Sequence, residues 1–225
     1  MRARNPVLVV MAKQPAVGRT KTRLCPPLTP PEAAALYEAM LRDTIDLGAQ
    51  VRAARLAVAL TPPEAIDWFR PMCPPDTMLL PVSGADIGDC LSQVFERLLN
   101  AHHAAIALNS DGPTLPLAYV QQAVATLNDV DVVLGPSEDG GYYLIGLKQP
   151  QPDLFRGMPW STDQVTAQTL ARAEAMALHV ALLPLWYDVD TAADLDRLRT
   201  ELAFLPARAL PFTRRFFALQ NASQG

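Results

Sequence analysis

The chain has 225 residues, half of them apolar, enough to bury a core without help from a metal or a disulfide framework. With 19 basic residues against 23 acidic ones the formal charge is −4 and the pI is near 5.3, so any basic site must be local and nucleic acid is not an expected partner. The three cysteines, Cys25, Cys73 and Cys90, show no C-x-x-C spacing and no paired histidines nearby, which argues against a disulfide framework or a zinc site and suits a reducing, cytoplasmic compartment.

Arg2 and Arg4 precede the apolar run Val7 to Ala12, which is too short for a signal core or a membrane span and reads as a strand covered on both faces of a parallel sheet. No membrane association is expected. Thr29-Pro30-Pro31-Glu32 combines a capping box with proline at the first helical position, and Ala33, Leu36, Tyr37, Met40, Leu41, Thr44 and Ile45 then repeat at helical spacing. Further strands are expected at Arg55 to Leu60, Thr77 to Val82, Ala104 to Asn109, Val130 to Gly135, Tyr142 to Leu147 and Leu178 to Trp186. Helices are expected at Ile87 to Asn100, Leu117 to Asn128, Asp163 to Met176 and Ala192 to Leu202. This alternation predicts a doubly wound α/β fold whose ligand crevice lies beyond the carboxyl ends of the strands. The prolines gather in loops, and neither a repeat nor a Gly/Ser linker divides the chain. One domain over 1–204 is expected, followed by a tail over 205–225 whose aromatics dock on it and whose polar end, from Gln220, frays.

The loop after the first strand carries Lys13, Arg19, Lys21 and Arg23 within eleven residues, where even scattering of the basic residues would place about one. Such a cluster in an acidic chain calls for an anion, and phosphate fits: lysine supplies point charge, arginine a fork, and Gly18 a close backbone approach. The alternative is a solvated basic turn. Neither a Walker loop nor a Gly-x-Gly-x-x-Gly fingerprint is present.

Asp111 follows the strand Ala104 to Leu108 directly, where one carboxylate could hold Mg²⁺ or Mn²⁺ against a diphosphate; Ser110-Asp111-Gly112-Pro113 is equally an ordinary turn. Asp188 and Asp190 are two residues apart at the end of the last strand, a spacing that turns both carboxylates to one side, although Asp190 or Thr191 could instead cap the following helix with Asp194. Glu138-Asp139-Gly140-Gly141-Tyr142 has the composition of a hairpin turn that could line an acceptor pocket. Trp160-Ser161-Thr162 could start a helix or offer a stacking face with hydroxyls. His102, His103 and His179 have no partners at catalytic spacing and read as surface residues.

The run Ala12-Lys13-Gln14-Pro15-Ala16-Val17-Gly18-Arg19-Thr20-Lys21-Thr22-Arg23-Leu24 resembles the signature of the bacterial family DUF2064, which is glycosyltransferase-A-like and related to phospholactate guanylyltransferases and other nucleotidyltransferases. Gly84-Ala85-Asp86-Ile87-Gly88, Ser110 to Leu115, Glu138 to Leu147, Trp160-Ser161-Thr162 and Asp188-Val189-Asp190-Thr191 follow in the family's order. The resemblance implies a single-domain glycosyltransferase-A or nucleotidyltransferase-like fold with a mixed sheet, and a nucleotide donor at Ala12, Lys13, Gly18, Arg19, Lys21, Thr22, Arg23, Asp86 and Gly88. The resemblance supplies no acceptor; the residues themselves suggest catalytic roles for Lys21, Arg23 and Asp111, a divalent metal (Mg²⁺ or Mn²⁺) on Asp111 with Asp188 or Asp190, and a small-molecule acceptor near Glu138 to Tyr142 and Trp160 to Thr162. Nucleotidyl transfer to a phosphorylated acceptor is the favoured reaction, with glycosyl transfer from a nucleotide-sugar and non-catalytic nucleotide binding as alternatives. One departure is visible: Cys90 stands where the pattern leads one to expect a basic residue. Oligomeric state, a homodimer included, is left open.

Overall fold

The computed structural model describes residues 5–224; Arg2, Arg4 and the final Gly225 lie outside it. β1 (Val7–Lys13) leads through a loop and a short 3-10 turn to α1 (Pro30–Ala49), capped by Thr29 with Glu32 completing the box. β2 (Arg55–Thr61), the single-turn α2 (Ile66–Phe69), β3 (Met78–Pro81) and α3 (Ile87–Leu99) follow, then β4 (Ala105–Leu108), α4 (Leu117–Thr126), β5 (Val132–Pro136) and β6 (Tyr142–Leu147). The chain ends with α5 (Val165–Ala175), β7 (Val180–Leu182), α6 (Ala192–Phe204) and α7 (Pro211–Gln224). The seven strands form one sheet in the order β3-β2-β1-β4-β6-β5-β7. β6 runs antiparallel to β4 and β5, and the other pairings are parallel.

The continuous apolar runs of the central strands follow from burial on both faces. Along β1, Val7 and Val9 pack with Leu91, Val94, Phe95 and Leu98 of α3, whereas Val10 packs with Leu36, Met40 and Leu41 of α1. Two expectations need correction. The strand foreseen over Leu178 to Trp186 is only three residues long: after Leu182 pairs with Leu134 and the Leu183 N–H donates to the Leu134 carbonyl, the next pairing is an isolated bridge from Trp186 to Ser137, so this strand carries one residue more than its partner and the regular register is lost. Beyond Leu205 the segment expected to dock does so as a helix, α7, which packs on α1 and stays helical through Gln224, where fraying was expected from Gln220. No helix among the described residues is long and apolar enough to cross a membrane.

Topology places the chemistry. β1, β2 and β4 are parallel, so their carboxyl ends share one sheet edge. Because β6 is antiparallel, the β5–β6 turn returns to that same edge, and β7, parallel to β5, delivers Tyr187 to Asp190 there.

Candidate active site

A cleft of about 1010 Å³ opens at this edge, a size suited to a nucleotide-sized ligand. Its floor is apolar, formed by Met11, Ala59, Val82, Ile87 and Cys90. The end of β1 and the loop after it contribute Ala12, Lys13, Arg19, Lys21, Thr22 and Arg23 to the lining, and other loops contribute Asp86, Asp139, Ser161, Thr162 and Asp163, together with Asp111 and Asp190.

The basic loop is held by its own turn, in which Thr20 is buried, its Oγ accepts from the Ala16 N–H (2.8 Å), and the Arg19 and Thr20 amides donate to the Ala16 carbonyl. Gly18 (φ +73°) supplies a backbone conformation that side-chain-bearing residues adopt at a cost. Lys21 also has positive φ (50°), where a residue with a Cβ is strained by about 1 to 2 kcal/mol. The strained backbone turns the ammonium inward: Nζ lies 3.1 Å from Asp111 Oδ2 and 2.5 Å from Asp190 Oδ1, and the side chain is only 7% exposed. Burial by itself would lower the pKa of Lys21, but the carboxylates of Asp111 and Asp190 outweigh it and keep the group charged. Arg23, largely exposed, reaches Asp190 at 3.8 Å, while Lys13 and Arg19 are exposed on the rim.

The acidic side is assembled by backbone contacts. The Val189 N–H donates to the Asp111 carbonyl (2.9 Å), bringing the segment after β7 against the loop after β4. Thr191, with Asp194, caps α6, so the capping role weighed for Asp190 falls to its neighbour and the Asp190 carboxylate is left for Lys21. Asp188 accepts from Asn109 Nδ2 (2.8 Å) and does not line the cleft. Burial first, and then the charge of Asp111, push its pKa up to about 7.

Asp111 and Asp190 share one ammonium, so two of their oxygens are at most two hydrogen-bond lengths apart, with Asp188 beside them. This all-oxygen donor set suits a hard divalent cation, and the Lys21 ammonium stands in for positive charge at the same point. Among the described residues no group of three or more acidic, histidine or cysteine side chains encloses an ion. Mg²⁺ does not require one, because it keeps waters and takes substrate phosphates beside one or two carboxylates.

Several residues expected at the ligand serve the scaffold instead. Glu138 accepts from Arg197 of α6 (2.9 and 3.0 Å). Gly140 (φ +86°) leaves no room for a Cβ against the Asp163 backbone, so its close approach is to the chain and not to a ligand. Gly141 donates to Asp139 Oδ1 (2.9 Å). Gly88 makes room for the Trp160 indole, which meets Tyr142 edge to face at 6.2 Å, and none of these three lines the cleft. Asp86 lines it but also caps α3 by accepting from the Asp89 N–H (3.0 Å). The buried thiol of Cys90, raised by burial and then by Asp89 and Asp86, contributes to the floor.

Sequence reasoning missed a buried relay under the cleft. The Lys13 N–H donates to Tyr37 Oη (3.1 Å), Tyr37 Oη lies 3.0 Å from Ser110 Oγ, and Ser110 Oγ donates to the Met11 carbonyl (3.0 Å). Since the one hydroxyl proton of Ser110 goes to Met11, Tyr37 is the donor to Ser110. Both strand ends that carry functional charge, Lys13 and Asp111, are pinned by this chain. Tyr37 read as an apolar helical position, and Ser110 as part of a turn.

Over residues 44–162, more than half its length, the chain matches the family described as an uncharacterized protein conserved in bacteria, DUF2064. The chain belongs to DUF2064. The basic loop and Asp188 to Asp190 lie outside the matched span. A protein from Desulfovibrio desulfuricans G20, named only provisionally as a nucleotide-diphospho-sugar transferase, shares 29% identity with this DUF2064 chain and superposes with a TM-score of 0.85, covering 95% of this chain and 96% of its own. A cytidylyltransferase from Leptospira borgpetersenii, 9% identical, covers 98% of this chain and 96% of its own at a TM-score of 0.63. Rv0371c from Mycobacterium tuberculosis H37Rv, solved in complex with manganese, is 17% identical and covers 87% and 98% at a TM-score of 0.55. The two distant likenesses establish the nucleotidyltransferase-like fold alone. No curated protein matches the chain.

Proposed function

We propose that this DUF2064 protein is a nucleotide-dependent transferase that moves a nucleotidyl group from a nucleoside triphosphate to a small acceptor. The observation that carries the reading is the placement of Lys21, buried between Asp111 and Asp190 beneath a loop with Lys13, Arg19 and Arg23 on its rim. Phosphates lying along that loop meet fixed cations where negative charge develops on a departing pyrophosphate. An acceptor hydroxyl oxygen forms a bond to the α-phosphorus and gives up its proton to solvent as the bond from that phosphorus to the bridging oxygen breaks, and pyrophosphate leaves with the electron pair. Asp111 and Asp190 are the residues that would hold Mg²⁺ or Mn²⁺, with Asp188 close by. The metal supplies charge neutralisation at the phosphates. Met11, Ala59, Val82 and Cys90 offer an apolar floor that excludes water.

Beyond the basic loop, the lining of the cleft carries Asp86, Asp139 and Asp163 with the hydroxyls of Ser161 and Thr162. Carboxylates repel a phosphorylated acceptor and receive hydrogen bonds from a hydroxylated one, so we assign the acceptor to the polyhydroxylated class and set aside the phosphorylated acceptor favoured by sequence reasoning. The three free cysteines are the basis for placing the protein in a reducing, cytoplasmic setting.

Thermal shifts measured with nucleoside triphosphates and nucleotide-sugars, each with and without Mg²⁺, test the proposal, because a ligand bound only by the native state raises its apparent stability. At least one triphosphate is expected to stabilise the protein with Mg²⁺ and, given an acceptor, to yield pyrophosphate. The provisional name of the Desulfovibrio relative favours glycosyl transfer as a second reading. Stabilisation by nucleotide-sugars alone, with no triphosphate effective at millimolar concentration, would put that reading in place of ours.

A further inference from the structure

We propose that the Lys21 ammonium is a built-in counter-ion that occupies the place between Asp111 and Asp190 until a divalent cation arriving with a nucleotide displaces it. This rests on the metal- and nucleotide-binding reading above. Two carboxylates brought together repel each other and each seeks a cation. Here both are satisfied from within the chain, by a side chain almost wholly removed from solvent and aimed by a backbone conformation that disfavours any residue but glycine. Around the pair, Arg23 approaches Asp190 at 3.8 Å and Asp188 is occupied by Asn109, so Lys21 is the tightly held charge at that point. A bare divalent ion entering there must either expel the ammonium, leaving it buried without a partner, or sit beside it against like-charge repulsion.

Nucleotide phosphates remove that conflict. Lys21 belongs to the same loop as Arg19 and Arg23, so an ammonium released from the carboxylates swings toward phosphate oxygens and exchanges one anionic partner for another. Cation and nucleotide therefore bind as a coupled pair, each raising the affinity for the other. In the absence of nucleotide the acidic pair is closed to adventitious cations.

Mn²⁺ alone is the direct probe, with free ion counted by electron paramagnetic resonance. In the absence of nucleotide, Lys21→Gln is expected to bind Mn²⁺ about tenfold or more tightly than wild type, because it removes a charge within hydrogen-bond reach of both carboxylates. Adding Asp190→Asn to Lys21→Gln is expected to cancel the gain. Equal affinities within about twofold, or weaker binding by a folded Lys21→Gln protein, overturn the proposal. Should that variant not fold, nuclear magnetic resonance of the wild type labelled at the lysine ε position serves in its place. Mg²⁺ alone is expected to leave the Lys21 signal in place, whereas saturating Mg²⁺ together with a nucleoside triphosphate that stabilises the protein is expected to move it; an unmoved signal with both bound overturns the proposal. The thermal shifts described above keep the two ideas separate. Nucleotide stabilisation alongside unchanged Mn²⁺ affinity removes only the counter-ion, whereas a Mn²⁺ gain with no nucleotide effect supports the counter-ion and removes the nucleotide reading.

Discussion

Removing one hydroxyl, by Tyr37→Phe, tests whether the relay beneath the cleft fixes the ends of β1 and β4. Tyr37 is 5% exposed and Ser110 3% exposed, so water cannot take over the lost contacts. Burial, then the nearby charge of Asp111, raise the Tyr37 pKa to about 12, so the hydroxyl keeps its proton and remains a donor at any working pH. The variant strands one buried donor, the Lys13 N–H, and one acceptor site on Ser110 Oγ, while the ring still fills its place against Leu24, Leu36 and Tyr187 in the core. An unpaired buried polar group costs about 1 to 3 kcal/mol. The two losses share one chain and are not additive, which puts the expected destabilisation at about 2 kcal/mol in urea unfolding. Ser110→Ala removes a member of the same chain, so a double-mutant cycle with Tyr37→Phe should give a coupling of about 1 kcal/mol. Nucleotide affinity should fall as well, because Lys13 and Asp111 lose their mutual register. A Tyr37→Phe protein within about 0.5 kcal/mol of wild type and additive with Ser110→Ala would show that packing alone sets these strand ends.

Asp43, 3% exposed on α1, accepts the Phe212 and Thr213 N–H groups (3.1 and 2.8 Å) at the start of α7; Asp43→Ala should cost about 1 to 3 kcal/mol and make the chain beyond Leu205 sensitive to limited proteolysis. Because Asp188 is pushed up from 3.8 to about 7, the folded state holds its proton more tightly than the unfolded state, so its contribution to stability falls as pH rises from about 4 through 7. In EDTA, Asp188→Asn should therefore match wild type near pH 4 and exceed it by up to about 4 kcal/mol above pH 7, as read from unfolding midpoints across pH. Gly140→Ala places a Cβ against the Asp163 backbone at positive φ; it should cost more than about 2 kcal/mol in chemical unfolding and shift the Ser161 to Asp163 wall, weakening acceptor binding more than nucleotide binding.

Most of the fold was legible because its signals are local. The β-branched run at Val7, the Thr29 capping box and the alternation of apolar runs with helical spacing place six strands and the major helices within a few residues of where they stand. Two misreadings have definite causes. The last strand is cut short where it carries one residue more than β5 between the Leu182 and Trp186 pairings, a loss of register that an apolar run does not reveal. The helix α7 was hidden because Pro206 and Pro211 mark loop structure, while its first amides are satisfied by Asp43, 169 residues earlier, a partner that no window of sequence contains. The glycine-rich turn was read correctly as a turn and incorrectly as bare backbone for a ligand. Composition cannot distinguish a glycine that admits phosphate from one that admits the Asp163 backbone, since the steric demand is the same.

Charge count reaches the site but not its wiring. Four cations in eleven residues called for anions and suggested phosphate, yet the first anions met by Lys21 are Asp111 and Asp190, 90 and 169 residues away in the chain. That meeting follows from strand order: β4 lies directly beside β1, and the Val189 amide ties the segment after β7 to the Asp111 carbonyl. Spacing shows that Asp188 and Asp190 are near each other. It does not show that Asn109 takes one and Lys21 the other, and this division separates their chemistry. Asp188, whose partner is a neutral amide, is left with a raised pKa, whereas Asp190, facing two cations, is suited to giving up an ammonium in exchange for a metal. The loop's three remaining cations stay exposed at the rim of a cleft whose lining also carries Asp86, Asp139 and Asp163, so, on the proposed reading, the phosphates of a nucleotide are drawn to the loop and repelled by those carboxylates.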